Sequence, residues 1–171
     1  MTPKSSFTVL LILASFFSFS QDSSQLKRKP YKLAVAVDKK TVYQEDLKET
    51  PYVLPNKAIQ IYPGETIFLE IETDNDIIKT VTAVEKNVNP AKTLTITFSQ
   101  SSKKGVHESM MLKVENPFSK DLVYKSKIFL LKHSKWVNTD VYPVSAGLSA
   151  FETWPDIITS IALGNWEFAK K

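Results

Sequence analysis

The chain has 171 residues, no cysteine and a formal net charge of +4 at pH 7. The missing thiol excludes a disulfide framework, a lipidated cysteine and a cysteine nucleophile. The net charge is small and the lysines are scattered, which is typical of a solvated surface and argues against nucleic-acid binding. The length suits one domain.

The N-terminal residues follow the three-part pattern of a secretory signal peptide. Lys4 precedes an apolar run over residues 8–17, and the small residues Ser18 and Ser20 suit a cleavage site after position 20. We therefore expect a signal peptide over residues 1–20, with an uncleaved anchor as the alternative. An exported protein without cysteines or an Asn-x-Ser/Thr acceptor is more typical of bacteria. The expected location is periplasmic or extracellular, with no stable membrane anchor after cleavage.

Residues 21–30 (QDSSQLKRKP) are polar and aperiodic, so they predict a flexible tether, and residues 31–171 predict the folded domain. Within this domain, apolar and polar residues alternate, which is the pattern of strands with one wet face. Pro-Gly and Asx-type turns separate the strands, and residues 116–121 (NPFSKD) predict a hairpin loop. The alternating apolar sets are Leu33/Val35/Val37, Ile59/Ile61, Ile67/Leu69/Ile71, Leu94/Ile96/Phe98 and Met110/Leu112/Val114.

Two segments are ambiguous. Residues 42–48 (VYQEDLK) fit one helical turn or an edge strand. Residues 157–163 begin after a Trp-Pro-Asp sequence that suits a helix start, but their β-branched side chains favour a strand. Gly164 predicts a bulge or bend. Together these patterns predict an all-β, antiparallel, immunoglobulin-like β-sandwich of roughly seven to ten strands.

Two blocks carry a family resemblance. Residues 111–128 (MLKVENPFSKDLVYKSKI) resemble the strand–turn–strand centre of immunoglobulin-like sandwich domains in exported bacterial proteins. Residues 142–168 (YPVSAGLSAFETWPDIITSIALGNWEF) are similar to the closing segment of uncharacterised members of that set. The resemblance implies the fold and no activity.

The residues that carry chemistry are sparse. His107 and His133 have no metal-ligand spacing and are expected to be exposed. Alternating carboxylates at Glu70, Glu72, Asp74 and Asp76 share one strand face and offer oxygen ligands for calcium, although the calcium-loop pattern is missing. The simpler interpretation is a solvated acidic strand end. No cofactor and no catalytic residue is predicted.

Residues 136–142 (WVNTDVY) are the strongest binding candidate. Alternation places Trp136, Asn138, Asp140 and Tyr142 on one face. If that face is wet, two aromatic rings flank an amide and a carboxylate, which suits sugar binding. The alternative is that both aromatics are ordinary strand residues in the core.

The sequence therefore predicts a non-catalytic exported protein that binds another macromolecule, either a protein partner or an envelope or extracellular glycan. Two alternatives remain open. One is a small extracellular polysaccharide hydrolase, and the other is a structural envelope subunit that engages partners through a sheet edge.

Overall fold

The structure is a computed structural model that describes residues 25–170, and the described chain is all-β with several antiparallel sheets. A single 3-10 turn at Leu131–His133 interrupts the described strands. The strands are β1 (Lys27–Arg28), β2 (Tyr31–Ala36), β3 (Val42–Leu47), β4 (Thr50–Pro51), β5 (Ile59–Ile61), β6 (Glu65–Asp74), β7 (Ile77–Val84), β8 (Thr93–Lys103), β9 (Val106–Glu115), β10 (Leu122–Leu130), β11 (Lys135–Thr139), β12 (Ser149–Trp154) and β13 (Ile158–Phe168).

Two larger sheets share one hydrophobic core. One has the strand order β11-β10-β13-β5 and the other has β12-β9-β8-β6-β7, and the buried side chains of both belong to the same cluster. Leu94, Ile96 and Phe98 of β8 are fully buried, as their alternation predicted. Two smaller pairs, β1-β4 and β2-β3, complete the described strands.

The ambiguous segments are both strands. Residues 42–47 form β3, which pairs with β2, and residues 158–168 form β13, which lies between β10 and β5. The long β13 is buried along much of its length, so its β-branched side chains pack in the core. Its position in the middle of a sheet explains why propensity for a strand prevails over the helix-start signal before it.

Residues 116–121 do not form the hairpin loop that the sequence predicted. The strand before them, β9, pairs with β8 and β12, whereas the strand after them, β10, pairs with β11 and β13. The segment therefore passes from one sheet to the other. Asn116 is 2% exposed, and its side-chain amide donates to the backbone oxygens of Lys120 and Val144, which fixes this crossing.

The predicted tether is partly wrong. Lys27 and Arg28 form β1, which pairs with β4, and Arg28 is only 2% exposed. The Arg28 guanidinium binds the Glu65 carboxylate through two nitrogens and lies 4.7 Å from the ring centroids of Tyr52 and Tyr62. A basic run with no periodicity gave no sign of this buried ion pair. The predicted signal peptide and residues 21–24 lie outside the described residues.

The β2–β3 ribbon packs through its own small cluster of Leu33, Val35 and Leu47. The side chain of Gln100 on β8 fastens it to the five-stranded sheet. The Gln100 oxygen accepts the Ala36 amide at 2.8 Å, and its nitrogen donates to the Ala36 oxygen at 2.8 Å. At the end of β2, the Gln100 side-chain amide thus forms the two backbone hydrogen bonds that a neighbouring strand would otherwise form.

Gly164 marks a bulge, as the sequence predicted. The pairing of β13 with β10 shifts register between Val123 and Lys125, and Asn165 beside the glycine has a left-handed φ of 55°. A Cβ at position 164 would lie 3.2 Å from the Cβ of Ala58, closer than side chains normally pack. The glycine therefore permits a close approach as well as the bulge.

Candidate functional site

The β10–β11 hairpin presents the segment that the sequence singled out. The 3-10 turn ends at Ser134, whose φ of 48° and ψ of 43° are left-handed and direct the chain back as β11. The register pairs Ile128 with Val137, and both side chains contact the core. Since neighbouring residues on a strand point to opposite faces, the residues that flank this pair face outward.

Trp136 and Asn138 lie on this outward face. Trp136 is 42% exposed and pairs with Phe129, whose ring meets the indole edge-on with centroids 5.4 Å apart. Asn138 pairs with Lys127, and both are exposed. The alternation of residues 136–142 therefore holds along β11, where the intervening Val137 and Thr139 are half-buried.

Asp140 and Tyr142 are exposed, but they lie beyond the end of β11. The Tyr142 backbone amide donates to the Glu152 carboxylate at 2.9 Å, which ties this residue to β12 in the other sheet. Asp140 follows the last pair of β11, in which Thr139 faces Ser126. Strand β11 thus holds Trp136 and Asn138 on one face, and it ends before Asp140 and Tyr142.

Two lysines missed by the sequence reasoning extend this surface. Lys125 and Lys127 alternate with the buried Tyr124, Ser126 and Ile128, so both point outward from β10. Neither takes part in an ion pair among residues 25–170, whereas five other described lysines do. The alternation of residues 122–128 was the available signal, because it separates the outward lysines from the core positions.

Small residues of β13 lie next to these lysines. Lys127 faces Ala162 across the β10–β13 pair, and Lys125 faces Gly164. Because alanine and glycine have little or no side chain, the two lysines project above the positions that they face on β13. We call the surface formed by Lys125, Lys127, Phe129, Trp136 and Asn138 the β10–β11 face.

The β10–β11 face carries groups that can bind a ligand. Its groups are two ammonium donors, a side-chain amide and an indole ring braced by a phenyl ring. An indole packs against apolar ring faces, while amides and ammonium groups hydrogen-bond to hydroxyls and carboxylates. The five residues carry no carboxylate, hydroxyl or thiol.

The four carboxylates considered as calcium ligands each contact a separate partner. They follow β6 into its turn toward β7. No set of three or more His, Cys, Asp or Glu side chains within residues 25–170 is arranged to hold a metal ion. The contacts are Glu70 with Asn89, Glu72 with Thr80, Asp74 with Lys79 and Asp76 with Lys120.

The two histidines lie apart and differ in exposure. His133 is exposed in the 3-10 turn, as expected, but His107 on β9 is half-buried. One ring nitrogen of His107 is 2.8 Å from the Gln100 side chain, and the other is 3.0 Å from the Pro155 oxygen. His107 therefore helps to seat the β2–β3 ribbon.

Within residues 25–170, no helix has the length and apolar character needed to cross a membrane. No protein-family model, no curated protein and no solved structure matches the chain.

Proposed function

We propose that this chain is a non-catalytic exported protein that binds an envelope or extracellular glycan through the β10–β11 face. The observation that carries the proposal is Trp136, a large ring that is 42% exposed on a sheet face beside Asn138 and two lysines. Sugar rings have apolar faces that pack on aromatic rings, and their hydroxyls accept hydrogen bonds from ammonium groups and both accept from and donate to side-chain amides.

Preorganisation favours this surface for binding. The Phe129 ring holds the indole of Trp136 edge-on, and both residues stand on paired strands rather than on a loop. A ring that is already held in place loses little conformational freedom when a ligand packs on it. The five residues of this face carry no carboxylate, whereas a polysaccharide hydrolase needs two across the bond that it breaks, and this supports a binding role.

The experiment is a titration of the purified chain with soluble oligosaccharides, followed by tryptophan fluorescence and calorimetry. Replacement of Trp136 by alanine should abolish binding while the protein stays folded, because the indole is partly exposed. Phe151→Ala is the matched control, since Phe151 is an exposed aromatic of the other sheet at 59%. Equal affinity in Trp136→Ala and the original chain would overturn the proposal.

A second candidate is a protein partner bound at the edge formed by β12. Three large apolar side chains are strongly exposed in and before this strand: Tyr142 at 79%, Leu148 at 60% and Phe151 at 59%. β12 is the outer strand of its sheet, so backbone groups on one side lack a paired strand. Cross-linking in the native host should capture a partner that is lost in Leu148→Ser and kept in Trp136→Ala.

The finer form of the fold belongs to the same proposal. The proposal of an immunoglobulin-like sandwich is supported by two sheets that share one core, by the nine strands that they contain, and by the connection at residues 116–121 that passes from sheet to sheet.

The proposed signal peptide over residues 1–20 makes a direct prediction. N-terminal sequencing of the protein from culture medium or periplasm should begin at Gln21, and a chain that retains Met1 in the cytoplasm would contradict export.

A further inference from the structure

Lys125 and Lys127 give the β10–β11 face a local positive charge. Lys125 and Lys127 stand two positions apart on one strand face, so their backbones are roughly 7 Å apart. Across the paired strands, Lys127 faces Asn138 and Ala162, and Lys125 faces Gly164. Two acidic residues lie nearby along the neighbouring strands: Glu167 of β13, which faces Val123, and Asp140, just beyond β11. Neither lysine forms an ion pair with them or with any other residue in the range 25–170.

We propose that the glycan bound by this face is acidic, with carboxylates held by Lys125 and Lys127 while one sugar ring packs on Trp136. This inference rests on the proposed glycan binding and adds the chemical class of the ligand. Lys125 and Lys127 repel each other because they carry the same charge at neighbouring positions. A polymer with repeated carboxylates would place an opposite charge beside each lysine and so remove this repulsion.

The surface fits an acidic polysaccharide better than a nucleic acid. Single-stranded nucleic acids are bound by grooves in which several aromatic rings stack on successive bases. Here one exposed indole is available, and its partner Phe129 is half-buried against it. One stacking ring with two nearby ammonium groups suits one sugar ring with charged groups on its neighbours.

The experiment compares two forms of one polymer. Oligogalacturonate and its methyl ester have the same sugar backbone, but esterification removes the negative charge. The original chain should bind the acid form about tenfold more tightly at low salt, since two exposed ion pairs together contribute about that factor. Added salt should weaken binding of the acid form and leave the ester unaffected.

Matched variants identify the lysines responsible. Lys125→Gln/Lys127→Gln should lose the preference for the acid form, while Lys39→Gln/Lys40→Gln, which removes the same charge from an exposed turn of the β2–β3 ribbon, should keep it. Thermal unfolding of both double variants should match that of the original chain, because all four side chains are exposed.

The outcomes separate the two proposals. Equal binding of acid and ester that is lost in Trp136→Ala would leave glycan binding standing and overturn the acidic class. Binding of an oligothymidylate as tight as that of oligogalacturonate would overturn the inference in favour of a general polyanion surface. Binding of neither sugar polymer, with neutral oligosaccharides from the first titration also unbound, would overturn both proposals.

Discussion

At the scale of single residues, Tyr124 combines deep burial with an unsatisfied hydroxyl. The side chain is 3% exposed and its ring lies 5.3 Å from that of Trp166. Its hydroxyl has no hydrogen-bond partner among residues 25–170. In the unfolded chain this hydroxyl forms hydrogen bonds with water, and it loses them when it is buried without a partner. The ring therefore stabilises the core, whereas the hydroxyl does not.

Replacement of Tyr124 by phenylalanine tests this interpretation. The variant keeps the ring and removes the hydroxyl, so we expect the free energy of unfolding to stay the same or to rise by up to about 1 kcal/mol. Urea denaturation measures the change. The control is Tyr43→Phe, which removes a hydroxyl that donates to Glu45 at 2.7 Å. A loss of more than about 1 kcal/mol in Tyr124→Phe would show that the hydroxyl is hydrogen-bonded.

The tyrosines also predict how stability depends on alkaline pH. Burial raises the pKa of five of them above the ordinary value of 10.0, in the case of Tyr43 to about 12. A tyrosine with a raised pKa keeps its proton in the folded state where the unfolded chain has lost it. The free energy of unfolding is therefore highest below about pH 10, and it decreases as the pH rises through the folded-state pKa. The five are Tyr31, Tyr43, Tyr52, Tyr62 and Tyr124.

Absorbance of tyrosinate against pH measures this effect directly. The curve of the folded protein should lie at higher pH than that of the urea-unfolded protein, and the folded state should be lost cooperatively on the alkaline side. Tyr124→Phe should remove one of the late-titrating groups. Curves that coincide for folded and unfolded protein would contradict the prediction.

At the scale of elements, the Arg28–Glu65 pair joins the β1-β4 pair to the start of β6. Arg28 also donates to the Thr50 hydroxyl at 2.9 Å and to the Gln60 backbone oxygen at 2.7 Å. These bonds satisfy most of the guanidinium donors, which is what a buried charge requires. Residues 27–28 are thereby ordered although they form a strand of only two residues.

Removal of one partner should therefore cost more than removal of both. Arg28→Met should lower the free energy of unfolding by about 3–5 kcal/mol, because it leaves the Glu65 carboxylate buried without its partner. Glu65→Leu leaves the guanidinium without its carboxylate in the same way. The double variant should lose less stability than either single variant alone, measured by urea denaturation. Additive losses would show that the two side chains contribute independently.

Local pattern predicted the strands but not their partners. The alternation of residues 94–98 and the bulge at Gly164 depend on residues that are close in sequence, so the sequence alone predicts them. Residues 116–121 were misjudged because the partner of β10 is β13, which comes much later in the chain. The same limit applied at the site. Alternation predicted that Trp136 and Asn138 share a face but left open whether that face points outward. Their neighbours Phe129 and Lys127 depend on the register of the hairpin.

At the scale of the whole molecule, the β2–β3 ribbon is held by fewer contacts than the two larger sheets. Its buried apolar cluster has three residues, whereas the main cluster draws on both larger sheets. The Gln100 side chain and the His107 amide, which donates to Val37 at 3.4 Å, fasten its turn end. We infer that the ribbon opens before the larger sheets do.

Gln100→Ala tests this order. Loss of both bonds to Ala36 should lower the local stability of the ribbon by about 1–2 kcal/mol. Hydrogen exchange should then accelerate at the amides of β2 and β3 and change little in β10 and β13. Gln44→Ala is the control, because Gln44 is an exposed glutamine on β3. Faster exchange spread evenly over all described strands would contradict a separately opening ribbon.

The place of β13 has a consequence for how the protein is made. Between β10 and β5, it brings Ser160 against Gln60, one hundred residues earlier. A ribosome therefore releases β5 long before the strand that completes its sheet, and contacts so distant in sequence form slowly. Until residues 158–168 emerge, β5 cannot pair with β13. We expect this delay to keep the nascent chain unfolded for longer, which is the state that the proposed export through a translocase requires.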